Sequence, residues 1–177
     1  MKRILSISLT LLLTLTLSAQ KNVTTFMGVP VTGQQDSMRQ KLLHKGCYTD
    51  KNSVLKGVVD GSLCTIIINA EKGKVQSITA VEDKSTTDEQ LAVERFNYLI
   101  EYYKNNPDYT EFEANDFITP VRQAEAKKYI AEGWFYAEFF QTTANQKYTR
   151  RMSFKLSNEY GGYRIVRCYD NSNEITF

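Results

Sequence analysis

The sequence predicts an α+β fold in which antiparallel β-meanders pack against one long and two shorter helices. Three observations predict it. Residues 87–106, TDEQLAVERFNYLIEYYKNN, carry one helical period: Ala92, Phe96, Leu99 and Tyr103 recur at steps of four, three and four, widened by Val93 and Ile100. Runs rich in β-branched residues lie on both sides of that segment, separated by connections of a few residues that force antiparallel neighbours. A helix-like stretch ending in glycine and entering a strand occurs twice, at Arg39–Gly46 and at Ala126–Gly133. Each is followed by a meander, as in a tandem duplication or in two unrelated helix caps.

The elements follow in order. Residues 1–19 read as a signal peptide, with Lys2 and Arg3 as the basic start, an apolar run from Ile4 to Leu17, and Leu17-Ser18-Ala19 as the cleavage site. The run is short for a membrane span, no second one follows it, and no cysteine follows it to carry a lipid anchor. The expected mature chain is a single domain over residues 20–177, with candidate halves at 26–86 and 119–177 joined by the helix at 87–106. Phe26 to Val31 is apolar and extended, held out of a helix by Pro30. Gly33 turns the chain, and residues 34–45 form a short helix closed by Gly46.

Four strands are expected next, at 47–50, 54–60, 63–70 and 75–82, with turns at Asp60-Gly61 and Lys72-Gly73. In the last of them Ile78 and Ala80 should face one way, and Val75, Ser77, Thr79 and Val81 the other. A capping box at Thr87/Gln90 or Thr86/Glu89 opens the long helix, and Asn105-Asn106-Pro107 stops it. Residues 109–118 are ambiguous. Thr119-Pro120 starts a helix to Glu132 that buries Val121, Ala124, Tyr129 and Ile130. Three strands follow at 134–142, 151–157 and 163–170, and a short last one at 174–177. Met152, Phe154 and Leu156 share one side of their strand, and Tyr163, Ile165 and Tyr169 one side of theirs.

The stretch Phe26-Met27-Gly28-Val29-Pro30-Val31-Thr32-Gly33, with Met38, Leu42 and Lys45-Gly46 after it, resembles a recurrent opening of small secreted bacterial proteins of unknown function. Helix-then-meander order is also similar to the β-lactamase-inhibitor-protein-like fold, which pairs two such units. These resemblances imply a secreted or periplasmic location and a binding role. They imply no catalytic residue, and no β-lactamase as partner.

Composition narrows the function classes. Of the 22 lysines and arginines, Lys2 and Arg3 fall in the leader, so the mature chain balances its 20 acidic residues and is close to neutral. It has no electrostatic reason to seek nucleic acid or an anionic membrane. One histidine, His44, and no CxxC or HxxxH spacing leave a metal site few ligands, and the scattered glycines form no phosphate loop. No metal and no cofactor is expected. Cys47, Cys64 and Cys168 form an odd set, from which one pair could bridge. Cys47 and His44 are the one candidate nucleophile–base pair, although enzymes of that type draw the two residues from distant segments. The remaining feature is aromatic. Trp134, Tyr136 and Phe140 lie on one face of their strand, and Phe135 and Phe139 on the other. Such a run marks either an interior strand covered on both sides or an exposed surface on which a partner docks. Trp134, Tyr136 and Phe140 are therefore the candidate binding residues. The expected function is a non-enzymatic binding module, secreted or periplasmic, whose partner is another envelope or secreted protein. The alternatives are a small hydrolase using Cys47 and His44, or a structural homodimer.

Overall fold

The computed structural model describes residues 23–111, 128, 130, 135–142, 150–158 and 161–170. The fold is α+β. Strands β1 (Thr25–Phe26) and β2 (Val29–Pro30) form a small hairpin, and helix α1 (Gln35–His44) follows. Then come β3 (Tyr48–Thr49), β4 (Leu55–Val59), β5 (Ser62–Glu71), β6 (Lys74–Glu82) and helix α2 (Glu89–Lys104). Strands β7 (Tyr109–Glu111), β8 (Tyr136–Gln141), β9 (Arg151–Ser157) and β10 (Arg164–Asp170) complete the described elements. Strands β3 to β10 make one antiparallel sheet in the order β3-β4-β5-β6-β10-β9-β8-β7. Two meanders therefore meet where their last described strands pair, β6 against β10, from Val166↔Val81 to Asp170↔Ser77.

Turn chemistry sets the hairpins. Asp60 and Gly61 connect β4 to β5 with φ of 48° and 77°, and Met27 and Gly28 connect β1 to β2 with 51° and 72°. Two consecutive left-handed residues give the tight hairpin turn whose twist matches that of the flanking strands. The expected extended run Phe26–Val31 is thus folded back on itself at Met27-Gly28.

Helix α1 ends in a Schellman motif. Cys47 N–H donates to the Leu42 carbonyl at 3.0 Å and Gly46 N–H to that of Leu43 at 3.2 Å, with glycine at the position foreseen. Helix α2 is the amphipathic segment read from the sequence, and Ala92, Val93, Phe96, Leu99, Ile100 and Tyr103 are all buried. Its cap differs from the expected box. Asp88 is the N-cap, its carboxylate accepting from Leu91 N–H at 3.1 Å, and Thr86 Oγ1 accepts from Asp88 N–H at 3.0 Å. Thr86 is held elsewhere, because its backbone bridges to Tyr163.

One hydrophobic core joins both halves. It includes Met38 and Leu42 of α1, Ile66 and Ile78 of the first meander, and Phe96 of α2 with Phe139 and Phe154 of the second. Phe96 meets Phe154 edge to face at 5.2 Å, and Tyr103 lies 5.4 Å from Phe139. Within β6, Val75 is buried with Ile78 and Ala80, whereas simple alternation puts it on the other side. A register shift at Asn69/Ala70 of β5 explains the difference, since an irregularity resets which side faces inward. Of the helix expected at 120–132, Lys128 and Ile130 are described, both helical, and Ile130 belongs to the core. The expected signal peptide at 1–19, most of the expected 120–132 helix and the expected strand at 174–177 lie outside the described residues.

Candidate functional site

The inner face of the sheet carries a charged cluster at its centre. Alternation along β10 places Arg167 between Ile165 and Tyr169, facing inward, and its side chain is 0% exposed. Its Nε donates to Asp60 Oδ2 at 2.8 Å and its Nη2 to Glu82 Oε1 at 3.0 Å. Tyr103 of α2 donates its hydroxyl to the same Asp60 Oδ2 at 2.6 Å. Arg95 of α2 binds the Asp60 carbonyl at 2.8 Å, Ser62 Oγ at 3.0 Å and Glu82 Oε1 at 3.4 Å. Burial alone would make the Arg167 guanidinium easier to deprotonate. The charges of Asp60 and Glu82 outweigh that and hold it above its ordinary range. Burial also pushes the Tyr103 and Tyr169 hydroxyls well above the ordinary tyrosine range, with the neighbouring Asp60 charge adding to the effect. The cluster ties the β4–β5 tip, the end of β6, β10 and α2 to one guanidinium.

The sheet curls on itself. Strands β4 and β7 lie near opposite ends of the strand order, yet Val58, Val59 and Asp60 share a cavity with Asp108, Tyr109, Gln141 and Thr142. The β1–β2 hairpin closes a third side with Thr25, Phe26, Met27 and Gly28, while Tyr169 and Arg150 complete the walls. The space measures about 490 Å³. That lies within the range of small-molecule sites.

Its walls are fixed by bonds between distant segments. Gln141 Oε1 accepts from Thr25 N–H at 2.7 Å and Gln141 Nε2 donates to Thr25 O at 2.6 Å, a two-point clasp of the hairpin onto β8. Thr24 Oγ1 donates to the Asp170 carbonyl, and Phe26 stacks edge to face on Tyr169 at 4.9 Å. Thr142 N–H donates to the Asp108 carbonyl at 2.7 Å, which joins β7 to β8 at the rim. The backbone carbonyl of one charged wall residue, Arg150, accepts from Gln141 N–H at 2.8 Å, but its side chain makes no hydrogen bond or ion pair with any described residue. Its Nε is buried without a partner, and burial holds the guanidinium below its ordinary range.

A second cavity, about 460 Å³, opens beside the first turn of α2 and is lined by Glu82, Leu91, Arg95, Leu156 and Tyr163 among others. Glu82 and Arg95 thus face this space from the same cluster whose Asp60 faces the first.

Of the residues singled out from sequence, Tyr136, Phe140, Cys47 and His44 line neither cavity. Phe140 is 6% exposed and Tyr136 is partly buried, with its hydroxyl accepting from Arg151 Nη2 at 2.7 Å and donating to Glu138 at 3.1 Å. Trp134 lies outside the described residues. Phe135 and Phe139 on the other face are buried as well, so β8 is covered on both sides. Cys47 is buried and its thiol is pushed up by that burial. Its contact is Met27 Sδ at 3.6 Å, and no bond joins it to the exposed His44. Cys64 is buried, its thiol pushed up to about 11 by burial, and all three cysteines are free. Among the described residues, no group of three or more histidines, cysteines and acids is placed to hold a metal ion.

Arg167 was within reach of the sequence, because alternation over 163–170 puts it on the side of Ile165 and Tyr169. Its acidic partners were not, since Asp60 and Glu82 lie far away along the chain. The cavity had no local signal, but three of its wall residues, Phe26 to Gly28, fall in the Phe26–Gly33 opening that carries the resemblance to secreted proteins.

The fold and site define an α+β protein with a curled antiparallel sheet and a polar cavity at one end. Comparison with protein-family models, with characterised proteins and with solved structures finds no match.

Proposed function

We propose that the chain is a secreted or periplasmic binding module without catalytic chemistry, and that the cavity walled by the β1–β2 hairpin, the Asp60 turn and the β7–β8 rim is its site. The observation that carries this reading is a cavity of about 490 Å³ braced by long-range bonds, with a cation on its wall that no described residue neutralises. Rigid walls and a few converging polar groups suit recognition. The hydrolase alternative finds less support. An activated cysteine needs a lowered pKa, and burial moves Cys47 the other way. The leader-like residues 1–19 and the Phe26–Gly33 opening support the location.

A thermal-shift screen of the mature chain, residues 20–177, against small polar metabolites tests the proposal. A ligand that binds only the folded chain raises the melting temperature with concentration, by about 2.7 kcal/mol of stability at a hundredfold excess over Kd. A screen in which no compound shifts the transition, alongside rapid labelling of Cys47 by iodoacetamide at neutral pH, would favour the hydrolase instead.

A second reading has one observation of its own. Leu63 and Ile67 are 41% and 45% exposed on the outward side of β5, where another envelope protein or a second copy could dock. Light scattering across a concentration series distinguishes a dimer from a monomer.

A further inference from the structure

We propose that the ligand of the cavity is a small organic acid, a monocarboxylate that also carries hydrogen-bond donors, with its carboxylate bound by Arg150. This rests on the cavity being the binding site.

Three observations lead to that class. Arg150 lines the cavity with no side-chain partner among the described residues, and a planar guanidinium presents paired donors that match the two oxygens of a carboxylate. An anion there would restore the electrostatic balance that burial upsets. The other charges on the walls then limit the anion. Asp60 already accepts from Arg167 and Tyr103. Asp108 lies on the rim, and its carboxylate accepts no hydrogen bond within the described residues. Its backbone N–H instead donates to Asn106 Oδ1 at 3.0 Å. A dianion such as phosphate would meet both aspartates, and like charges confined together are unfavourable. A monocarboxylate meets less repulsion, and an amide, hydroxyl or ammonium group on the same molecule supplies what Asp108 accepts. The Phe26 and Tyr169 rings add apolar wall for a short carbon skeleton.

The test is isothermal titration of the mature chain with matched pairs of acid and primary amide, such as N-acetylglycine and N-acetylglycinamide, and with inorganic phosphate. The acid is expected to bind at least tenfold tighter than its amide, and phosphate more weakly than the acid. In Arg150→Gln the acid should lose at least tenfold while the amide changes less than twofold, and Arg150→Lys should recover part of the loss. Asp108→Asn is a second variant, across β8 from Arg150, and it should narrow the gap between acid and phosphate. Equal binding of acid and amide by the wild-type chain overturns the carboxylate assignment and leaves the cavity as a binding site. Tighter phosphate than acid binding overturns the monoanion. If neither member of any pair binds, the cavity itself is not the site and the proposed function falls with the assignment.

Discussion

Arg167 shows what a single residue can do in this chain. It is fully buried, and it stays charged because Asp60 and Glu82 reach it from two other segments. Removing one member of such a group leaves its partners buried and unpaired. Arg167→Met is therefore expected to destabilise the chain by about 3–5 kcal/mol in urea unfolding. A loss below ~1 kcal/mol would mean that the two carboxylates find other partners. The tyrosines around the cluster give a pH dependence. The folded hydroxyls of Tyr103 and Tyr169 lie above the unfolded value of about 10. Their contribution is fully present below about pH 10 and is lost as the pH rises beyond it, because the unfolded chain ionises first. Absorbance at 295 nm should show a fraction of the 11 tyrosines ionising only as the fold opens. A single unperturbed titration of all of them, with the fold intact, would contradict this. The inward face of β10 was readable from alternation. The meaning of Arg167 on that face was not, because charge compensation depends on which distant acids the topology delivers.

At the scale of elements, period and punctuation did most of the specifying. The stripe on α2 needs no tertiary information, since steps of three and four put its apolar side chains on one side. Phe96, fully buried against Phe154 and Phe135, is the test position. Phe96→Ala should cost about 3–5 kcal/mol by urea unfolding. Asp88→Ala should cost about 1 kcal/mol by the same measurement, and Thr87→Ala much less, because the cap is Asp88. The sequence pointed to Thr86 or Thr87 as the cap, and the cap falls on the next residue, Asp88. The choice among them is tertiary, since the pairing of Thr86 with Tyr163 sets where the chain enters the helix. Strand β9 teaches a similar limit. Met152, Phe154 and Leu156 were readable as inward, but Arg151, Ser153 and Ser157 on the other side are buried too. Alternation reports one covered face and is silent about a second cover made of polar side chains. Arg151, for example, pairs with Glu138 across the sheet.

The whole molecule depends on the seam between β6 and β10. It fuses two meanders into one sheet and one core, so neither has an independent interior. A fragment ending at residue 86 would expose β6 as a bare edge and lose α2 from its inner face. It should show no cooperative thermal transition by circular dichroism, whereas residues 20–177 should show a single one. The fold class was readable because periodic runs and tight turns leave few arrangements. The cavity was not, because its walls come from the first hairpin, the Asp60 turn and the β7–β8 rim, which only the curl of the sheet brings together.

A crystal structure of residues 20–177 with the tightest-binding carboxylate from the titrations tests that assembly most directly. It should place the carboxylate within hydrogen-bond reach of the Arg150 guanidinium, between the Met27-Gly28 turn and Asp108. Ligand found instead on the outer face of β5, or beside Tyr98 and Tyr102 on α2, with the cavity unfilled, would contradict the account.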